Sequence, residues 1–355
     1  MELILLISSL SLFYVVINSI TIKVVKDTPR EITNSVSVLI PMRNEINNAK
    51  DCLDSLVNQQ GLNNFEIIVL DDESTDGTLD VIKSFSNVKV IEGKPKPSGW
   101  LGKLWACHQL FERSNGEYLV FVDADVRFSK NAIASALDVM GDLDFISPYP
   151  KQIANGFIAR LFQPLLQWSW LASVPLLLTY RFPSKQMAVA NGQFFIVKKS
   201  AYLKSGGHFA IKNEVLDDLM LARNLIGSGF KGVVAEASSV AVCEMYNSAK
   251  ELIRGYQKSL HKAFGSLFGT FFALILLIST GIIPIIAALR GSEIGLLSFV
   301  LVFMGRFIAS IRTGSVPTTA IMHPLAIAFL VVLIFYSWYG KITKTLVWRN
   351  RILYG

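Results

Sequence analysis

Residues 117–128 read Glu-Tyr-Leu-Val-Phe-Val-Asp-Ala-Asp-Val-Arg-Phe, and this stretch decides the fold class. Its residues 118–122 favour β-structure, and an unbroken apolar run of this kind is typical of a strand buried on both faces. The run leads directly into Asp123 and Asp125. Open α/β sheets bind ligands at the carboxyl ends of their strands, so the stretch predicts a site at that edge.

The two aspartates have the spacing of a cation site. Residues two apart in an extended chain point the same way, so Asp123 and Asp125 can converge on one divalent cation. An Asp-x-Asp pair is also common in solvated turns. The position of this pair directly after an apolar strand favours the metal site.

Strand and helix patterns alternate on either side of this stretch. Strands are predicted at 36–40, 66–70, 88–91 and 118–122. Helices are predicted at 44–60, with Asn44 as the cap, at 103–112, and in a segment that follows residues 71–78 and ends at residue 85. Farther along, a strand is predicted at 191–197, a turn at Gly206-Gly207-His208, and a helix at 215–226 that carries Asp217 and Asp218. This alternation implies an α/β fold with a mostly parallel sheet.

The composition indicates a membrane protein. The chain has 355 residues, of which 52% are hydrophobic, and a mean hydropathy of +0.44. Its net charge of +7 suits an anionic membrane surface or a phosphorylated ligand. The basic residues are scattered and do not alternate with aromatic ones, so no nucleic-acid partner is predicted. The three cysteines are widely spaced, which suggests neither zinc nor disulfides and fits a reduced, cytoplasm-facing catalytic part.

Apolar segments lie at both ends of the chain. Residues 1–24 form a predicted transmembrane anchor, and the cations that follow place its carboxyl end in the cytoplasm. Residues 249–263 predict a basic interfacial helix, and 264–340 hold about three transmembrane helices, the second of them made imperfect by Arg306. If all three of these helices cross the membrane, the tail 341–355 lies outside the cell, whereas its basic residues favour the cytoplasmic side.

The segment 156–180 is long enough to span a membrane. If it crossed, Asp123 and Asp218 would lie on opposite sides. Because Arg160 and Pro164 interrupt the apolar run, an interfacial or re-entrant segment is predicted, with a buried pair of core helices as the alternative. The predicted catalytic domain, 34–248, includes this segment.

Several motifs over residues 36–265 resemble the membrane-bound family 2 glycosyltransferases, which have a GT-A fold. They are Val-Leu-Ile-Pro-Met-Arg-Asn-Glu at 38–45, Leu-Asp-Asp-Glu-Ser-Thr-Asp-Gly-Thr at 70–78, Gly-Trp-Leu-Gly-Lys at 99–103, Val-Asp-Ala-Asp at 122–125, Gly-Gly-His at 206–208 and Val-Leu-Asp-Asp-Leu-Met-Leu-Ala at 215–222. The third and fifth motifs, with the tail at 347–354, are similar to the subgroup that glycosylates carotenoids and related apolar lipids. Glu73 stands where the family more often has glycine.

The resemblance implies roles on the donor side of a site. Asp72 would bind the uracil of a nucleotide sugar, and Pro41, Asn44 and Glu45 would shape its pocket. Lys103 would bind the diphosphate, and Asp123 would contact the ribose. With Asp123 beside it, Asp125 would coordinate Mg²⁺ or Mn²⁺, which offsets the charge that grows on the leaving diphosphate.

The resemblance also implies an acceptor side. Asp218 would be the general base of an inverting reaction, with Asp217 as its rival, because this chain has Asp-Asp where the family has Glu-Asp. Acids also simply favour the amino end of a helix. His208 could face the acceptor or stabilise the Gly-Gly-His turn. Trp100 could face the acceptor or serve the packing of the protein.

The predicted function is therefore a metal-dependent transfer of a hexose, from UDP-glucose, to a lipid or carotenoid acceptor. The enzyme would lie in the cell membrane as a multi-pass protein with its catalytic domain facing the cytoplasm. A processive polysaccharide synthase is the first alternative, although the Gln-x-x-Arg-Trp motif of such enzymes is absent at 254–258. A catalytically inactive membrane scaffold is the second.

Overall fold

The apolar run before Asp123 forms an inner strand of an eight-stranded sheet. The computed structural model describes residues 1–246, 248–348 and 351–352. Contacts divide the chain into an α/β unit, residues 22–151 and 177–244, and a helical unit, residues 1–21, 152–176 and 245–355.

The strands alternate with helices through the α/β unit, as the sequence pattern predicts. The strands of this part of the chain are β1 (Lys23–Val24), β2 (Val36–Met42), β3 (Phe65–Asp71), β4 (Val88–Glu92), β5 (Tyr118–Val122), β6 (Val126–Phe128), β7 (Phe145–Tyr149), β8 (Lys151–Gln152), β9 (Phe194–Lys198), β10 (Gly232–Glu236) and β11 (Ala241–Cys243). Two short strands, β12 (Val347–Trp348) and β13 (Arg351–Ile352), belong to the helical unit.

The helices fall in both units. They are α1 (Glu2–Thr21), α2 (Ile46–Val57), α3 (Thr78–Lys83), α4 (Gly102–Glu112), α5 (Ala132–Met140), α6 (Phe157–Ser173), α7 (Leu176–Arg181), α8 (Lys199–Ser205), α9 (Gly207–Ala210), α10 (Asp217–Gly227), α11 (Ala249–Gln257), α12 (Leu260–Ala263), α13 (Leu267–Gly281), α14 (Ile283–Leu289), α15 (Glu293–Arg312) and α16 (His323–Ile342), with 3-10 helices at Lys185–Met187 and Pro317–Met322.

The main sheet is mostly parallel, which confirms the predicted fold class. Its strand order is β1-β10-β7-β9-β5-β2-β3-β4. Among the described strands of this sheet, only β9 runs antiparallel to its neighbours, β5 and β7. Four of the five residues of β5 are buried, as expected for a strand covered on both faces.

The strand directions bring distant residues to one edge of the sheet. β2, β3 and β5 are parallel, so their carboxyl ends lie side by side. Because β9 is antiparallel, its amino end lies at the same edge, and the Asp123 N–H donates to the carbonyl of Gln193, 3.2 Å away. The segment before β9 thereby reaches the aspartates that follow β5.

The helix after β2 begins differently from the prediction. Asn44 does not cap it, because Asn44 has a φ of 53° and the helix begins at Ile46. The cap comes instead from Asp76, whose Oδ2 accepts the Ile46 N–H at 3.1 Å. This contact joins the loop after β3 to the start of α2, a pairing that local sequence does not reveal. Hydrogen bonds from Thr78 and Ile46 outweigh the effect of burial and lower the pKa of Asp76.

Within the described residues, the helical unit contains four helical segments long and apolar enough to cross a membrane. They are Glu2–Thr21, Leu267–Leu289, Glu293–Arg312 and Pro317–Ile342. Within this unit α1 packs against α15 and α6. The predicted basic helix at 249–263 is two helices, α11 and α12. Arg349 of the predicted basic tail lies outside the described residues.

The segment 156–180 forms two helices, α6 and α7, and does not form a single spanning helix. Contacts group α6 with the terminal helices, and most of its side chains are buried, with Pro164 inside the helix. That the segment lies at a membrane interface stays a prediction, as do the domain boundaries given above.

Glu73 generates a stability prediction. Its φ is +58°, in the left-handed region that costs a side-chain-bearing residue about 1–2 kcal/mol. Its ion pair with Arg43, at 3.5 Å, involves a Glu73 side chain that is 52% exposed, so it contributes little. We expect the free energy of unfolding of Glu73→Gly to exceed that of Glu73→Ala by about 1 kcal/mol. Both substitutions remove the ion pair, so chemical denaturation in detergent isolates the backbone effect, and equal stability of the two variants would contradict it.

Candidate active site

A pocket opens within the α/β unit at the carboxyl edge of β2 and β5. Its walls come from the ends of these strands, from α4, from the segment before β9, and from α10. The residues that line it are Pro41, Lys103, Cys107, Phe121, Val122, Asp123, Gly192, Phe195, His208, Asp217, Asp218 and Leu221. The structure therefore gathers side chains more than a hundred positions apart in the sequence.

Lys103 stands between two carboxylates in this pocket. Its Nζ is 2.7 Å from Oδ1 of Asp123 and 3.2 Å from Oδ2 of Asp217. Burial opposes the charge on this ammonium, but the two carboxylates together raise the pKa of Lys103 well above its usual value. Lys103 thus remains a cation and links the loop after β5 to the first turn of α10.

Asp218 has a different environment from Asp217. Its Oδ2 accepts the Gly192 N–H at 2.9 Å, and its Oδ1 accepts the Leu219 N–H at 2.7 Å. Burial, followed by the charge of Asp217, raises the pKa of Asp218 to about 6. A carboxylate with a pKa near the working pH has the property of a general base.

Gly192 is a part of this arrangement that the sequence analysis missed. A Cβ at this position would lie 3.2 Å from the Cβ of Asp218 and 3.5 Å from Nζ of Lys103. The absence of a side chain lets the backbone N–H reach the carboxylate. The only sequence signal is a glycine just before a predicted strand, which is weak by itself.

Asp125 is a partly buried carboxylate next to Asp123. Its Oδ1 is buried and has no hydrogen-bond partner within the described residues. Burial, followed by the charges of Asp123 and Glu45, raises the pKa of Asp125 to about 7. The thiol of Cys243 hydrogen-bonds to the same carboxylate.

The carboxylates after β5 fit a divalent cation. A buried carboxylate oxygen without a partner, beside a second carboxylate, is a suitable ligand pair for Mg²⁺ or Mn²⁺. Among the described residues no group of three or more His, Cys, Asp or Glu side chains could hold a metal by itself. Mg²⁺ usually takes one or two carboxylates and completes its shell with substrate phosphates and water, so Asp123 and Asp125 fit such a site.

The predicted base-binding residues lie at the ends of β2 and β3. Asp72 is buried, and its carboxylate lies 3.6 Å from Nη1 of Arg43, which also donates to the Asp72 carbonyl. Asn44 joins the two loops, since its Oδ1 accepts the Thr75 N–H at 2.9 Å. The Glu45 N–H donates to Oγ1 of Thr78 at 2.8 Å. Arg43 is a further residue that the sequence analysis did not single out.

His208 lines the pocket but is held by the protein. It is 4% exposed, its Nδ1 lies 2.6 Å from the Tyr202 hydroxyl, and its backbone N–H donates to the same hydroxyl at 3.0 Å. Burial lowers the pKa of His208 to about 3, so the ring is neutral at physiological pH. The predicted turn is tight because Gly206 has a φ of +79°, after which Gly207 begins α9.

Trp100 is not among the residues that line the pocket. It is buried against Trp105, His108 and Phe209, with ring centroids 5.1–5.8 Å apart. These ring contacts agree with the alternative in which Trp100 serves the packing of the protein. An acceptor-side role for Trp100 or His208 stays a prediction.

The chain is similar to known proteins in sequence and in fold. The sequence profile of the family Glycosyl transferase family 2 matches residues 37–206. A 4,4'-diaponeurosporenoate glycosyltransferase of Staphylococcus aureus (strain bovine RF122 / ET3-1) is 26% identical over 336 residues, which cover 89% of this chain and 88% of that protein. Its counterpart in Staphylococcus haemolyticus (strain JCSC1435) is 26% identical over 242 residues, or 65% of this chain and 62% of that protein.

One solved structure shares the fold over nearly its whole length. A mannosyltransferase from Pyrobaculum calidifontis, in complex with GDP-Man and Mn²⁺, is 15% identical with a TM-score of 0.54. The likeness covers 96% of this chain and 98% of that protein. It supports a GT-A-type fold with long apolar helices at the ends of the chain.

The contacts of His208 generate a prediction. Tyr202→Phe removes the hydroxyl and leaves the Nδ1 and backbone N–H of His208 buried without a partner. We expect the free energy of unfolding to fall by about 1–3 kcal/mol, because unpaired buried polar groups cost that much. Denaturation of the purified protein measures it, with Tyr118→Phe, at a partly exposed site, as the control. A Tyr202→Phe protein as stable as the control would contradict the assignment.

Proposed function

We propose that this chain, a glycosyltransferase with a glycosyl transferase family 2 domain at residues 37–206, moves a hexose from a nucleotide sugar to a membrane lipid or carotenoid, with inversion. The observation that carries the proposal is the joint position of Lys103, Asp123, Asp217 and Asp218 in one pocket. A cation and several carboxylates are thereby available to a diphosphate and to an attacking oxygen.

The donor would occupy the side of the pocket formed by the ends of β2, β3 and β5. Asp72 would meet the base, with Pro41, Asn44 and Glu45 around it, and Asp123 would meet the ribose. Lys103 has donors for phosphate oxygens, which would replace one of its carboxylate partners when the donor binds. The uridine nucleotide and the glucosyl group are expectations from the family resemblance.

Asp125, together with Asp123, would hold Mg²⁺ or Mn²⁺. The unpartnered Oδ1 of Asp125 and the raised pKa of this carboxyl both favour a bound cation. When bound, the cation offsets the negative charge that grows on the leaving diphosphate. The complex of the Pyrobaculum calidifontis mannosyltransferase with Mn²⁺ is consistent with such a site.

The transfer step places a proton acceptor opposite the diphosphate. An acceptor oxygen forms a bond to the anomeric carbon, while the bond from that carbon to the diphosphate oxygen breaks and its electron pair leaves with the nucleotide. A hydroxyl acceptor then loses its proton to Asp218, whose pKa suits that task. Asp217 is less suited because Lys103 neutralises its charge at 3.2 Å.

The acceptor is proposed to be a lipid for two reasons. The described chain has four segments long and apolar enough to cross a membrane. Two of the relatives carry the name of a carotenoid-derived acid, 4,4'-diaponeurosporenoate. An enzyme that stays in the membrane avoids extracting such an acceptor into water, which costs about 0.8 kcal/mol per CH₂ group.

The proposed orientation places the α/β unit in the cytoplasm of a multi-pass cell-membrane protein. Lys23, Lys26 and Arg30 follow the first apolar segment, and such cations favour the cytoplasmic side.

The chemistry of the acceptor determines the importance of Asp218. A hydroxyl must release a proton, whereas an ionised carboxylate has none to release. The base is therefore needed for a carotenoid alcohol and not for a carotenoid acid. A comparison of both acceptors separates catalysis by Asp218 from a structural role.

The role of Asp218 generates a prediction for the pH profile. As a base, Asp218 acts when deprotonated, so kcat/KM on a hydroxyl acceptor should fall as the pH drops below about 6. Asp218→Asn should lower the rate on that acceptor by about 10²–10⁴-fold and lower it far less on a carboxylate acceptor.

Asp217→Asn is the matched control for this prediction. It removes the neighbouring charge that raises the pKa of Asp218, so the acid limb should move to lower pH with a smaller loss of rate. A larger loss in Asp217→Asn than in Asp218→Asn would assign the base to Asp217.

The nature of the product tests the proposed function as a whole. Membranes that contain the chain are incubated with labelled UDP-glucose and Mn²⁺, and the label is followed into organic and aqueous phases. We expect one sugar per lipid in the organic phase, with loss of label on addition of EDTA and in Asp125→Asn. A long water-soluble polymer would instead show a processive polysaccharide synthase, and no transfer at all would contradict the proposal.

A further inference from the structure

Arg306 is a fully buried arginine in α15 of the helical unit. None of its guanidinium nitrogens, Nε, Nη1 or Nη2, has a hydrogen-bond partner within the described part of the chain. A guanidinium retains its charge in proteins, and an unpaired buried charge is among the most costly groups to bury. The apolar length of α15 makes it a candidate membrane span, where such a residue indicates a functional site.

Near the turn of α15 that carries Arg306, two other polar side chains have no hydrogen-bond partner among the described residues. Nε1 of Trp168 lies 3.5 Å from the point at which Gly305, the preceding residue, would carry a Cβ. Trp168 packs edge-on against His323, with ring centroids 4.7 Å apart. Trp168 Nε1 and both ring nitrogens of His323 are buried without hydrogen-bond partners among the described residues.

The described residues of the helical unit provide no counter-ion for this cluster. Its sequence contains three carboxylates, Glu2, Glu251 and Glu293, against twelve Lys and Arg. Glu293 is the first residue of α15, about 20 Å along the helix from Arg306. No ion pair of Arg306 occurs within residues 1–246, 248–348 and 351–352.

We propose that Arg306, Trp168 and His323 form a buried binding site for the anionic head group of a lipid, either a carboxylate or a phosphate. The guanidinium and the indole N–H donate to its oxygens, and His323 adds a donor at the amino end of α16, where the helix dipole also favours an anion. Exposed apolar side chains of the same helix, Phe307 and Ile311, provide a surface for the lipid chain.

This site does not depend on the proposed transfer reaction, since all of its residues belong to the helical unit. Its ligand is distinguished by an acidic head group on an apolar chain. Two sources supply that chemistry, a fatty or carotenoid acid and an anionic phospholipid.

The test measures the thermal unfolding of the full chain, purified in detergent and stripped of lipid. Oleate, phosphatidylglycerol and phosphatidylcholine are titrated separately. We expect either oleate or phosphatidylglycerol to raise the unfolding temperature in a saturable manner, while phosphatidylcholine leaves it unchanged. The more effective of the two identifies the head group as carboxylate or phosphate.

Three variants assign the effect to the proposed site. Arg306→Gln should weaken binding of the anionic lipid by about tenfold or more, because a charge-assisted hydrogen bond is lost. Trp168→Phe keeps an aromatic side chain but replaces the indole, with its N–H, by a smaller ring, so it should weaken binding by about two- to tenfold and serves if the first variant fails to fold. Arg290→Gln, at an exposed position, should bind as the wild type does.

Three results would overturn the proposal. They are an equal stabilisation by phosphatidylcholine, no stabilisation by either anionic amphiphile, and unchanged affinity in both Arg306→Gln and Trp168→Phe.

Discussion

The bridge from Lys103 to Asp123 and Asp217 is the interaction on which the site depends. Without this ammonium, the carboxylates of the β5 loop and of α10 would face each other in a partly buried pocket, where like charges repel strongly. The Lys103 ammonium holds the loop after β5 and the start of α10 together. Asp218, one residue farther along α10, accepts a hydrogen bond from the backbone N–H of Gly192 instead. The acids therefore differ in environment even though they share one pocket.

This division of environments allows neighbouring acids to serve different tasks. Asp123 and Asp217 form ion pairs with Lys103. Burial instead raises the pKa of Asp125 to about 7 and the pKa of Asp218 to about 6. A carboxyl with a raised pKa is stabilised in its charged form by a metal ion, or it accepts a proton near neutral pH. The proposed mechanism assigns the first property to Asp125 and the second to Asp218.

Much of the α/β unit follows from sequence, because apolar runs that end in polar residues mark parallel strands and their ligand-binding edge. The strand before Asp123 and the helix that begins at Asp217 both lie where the pattern predicts. The antiparallel direction of β9, the cap from Asp76 and the contact of Gly192 depend on tertiary pairing, which leaves little local signal. Arg306, which has no hydrogen-bond partner within the described residues, likewise gives no local signal, since the sequence shows only a cation inside an apolar stretch.

A structure of the full chain with UDP and Mn²⁺, determined by cryo-electron microscopy in lipid, tests the central claim most directly. It should show Mn²⁺ on Asp125, the nucleotide against Asp123 and Lys103, and the carboxylate of Asp218 facing the space beyond the diphosphate. A metal bound elsewhere, or an Asp218 side chain turned away from that space, would contradict a single site shared by these residues.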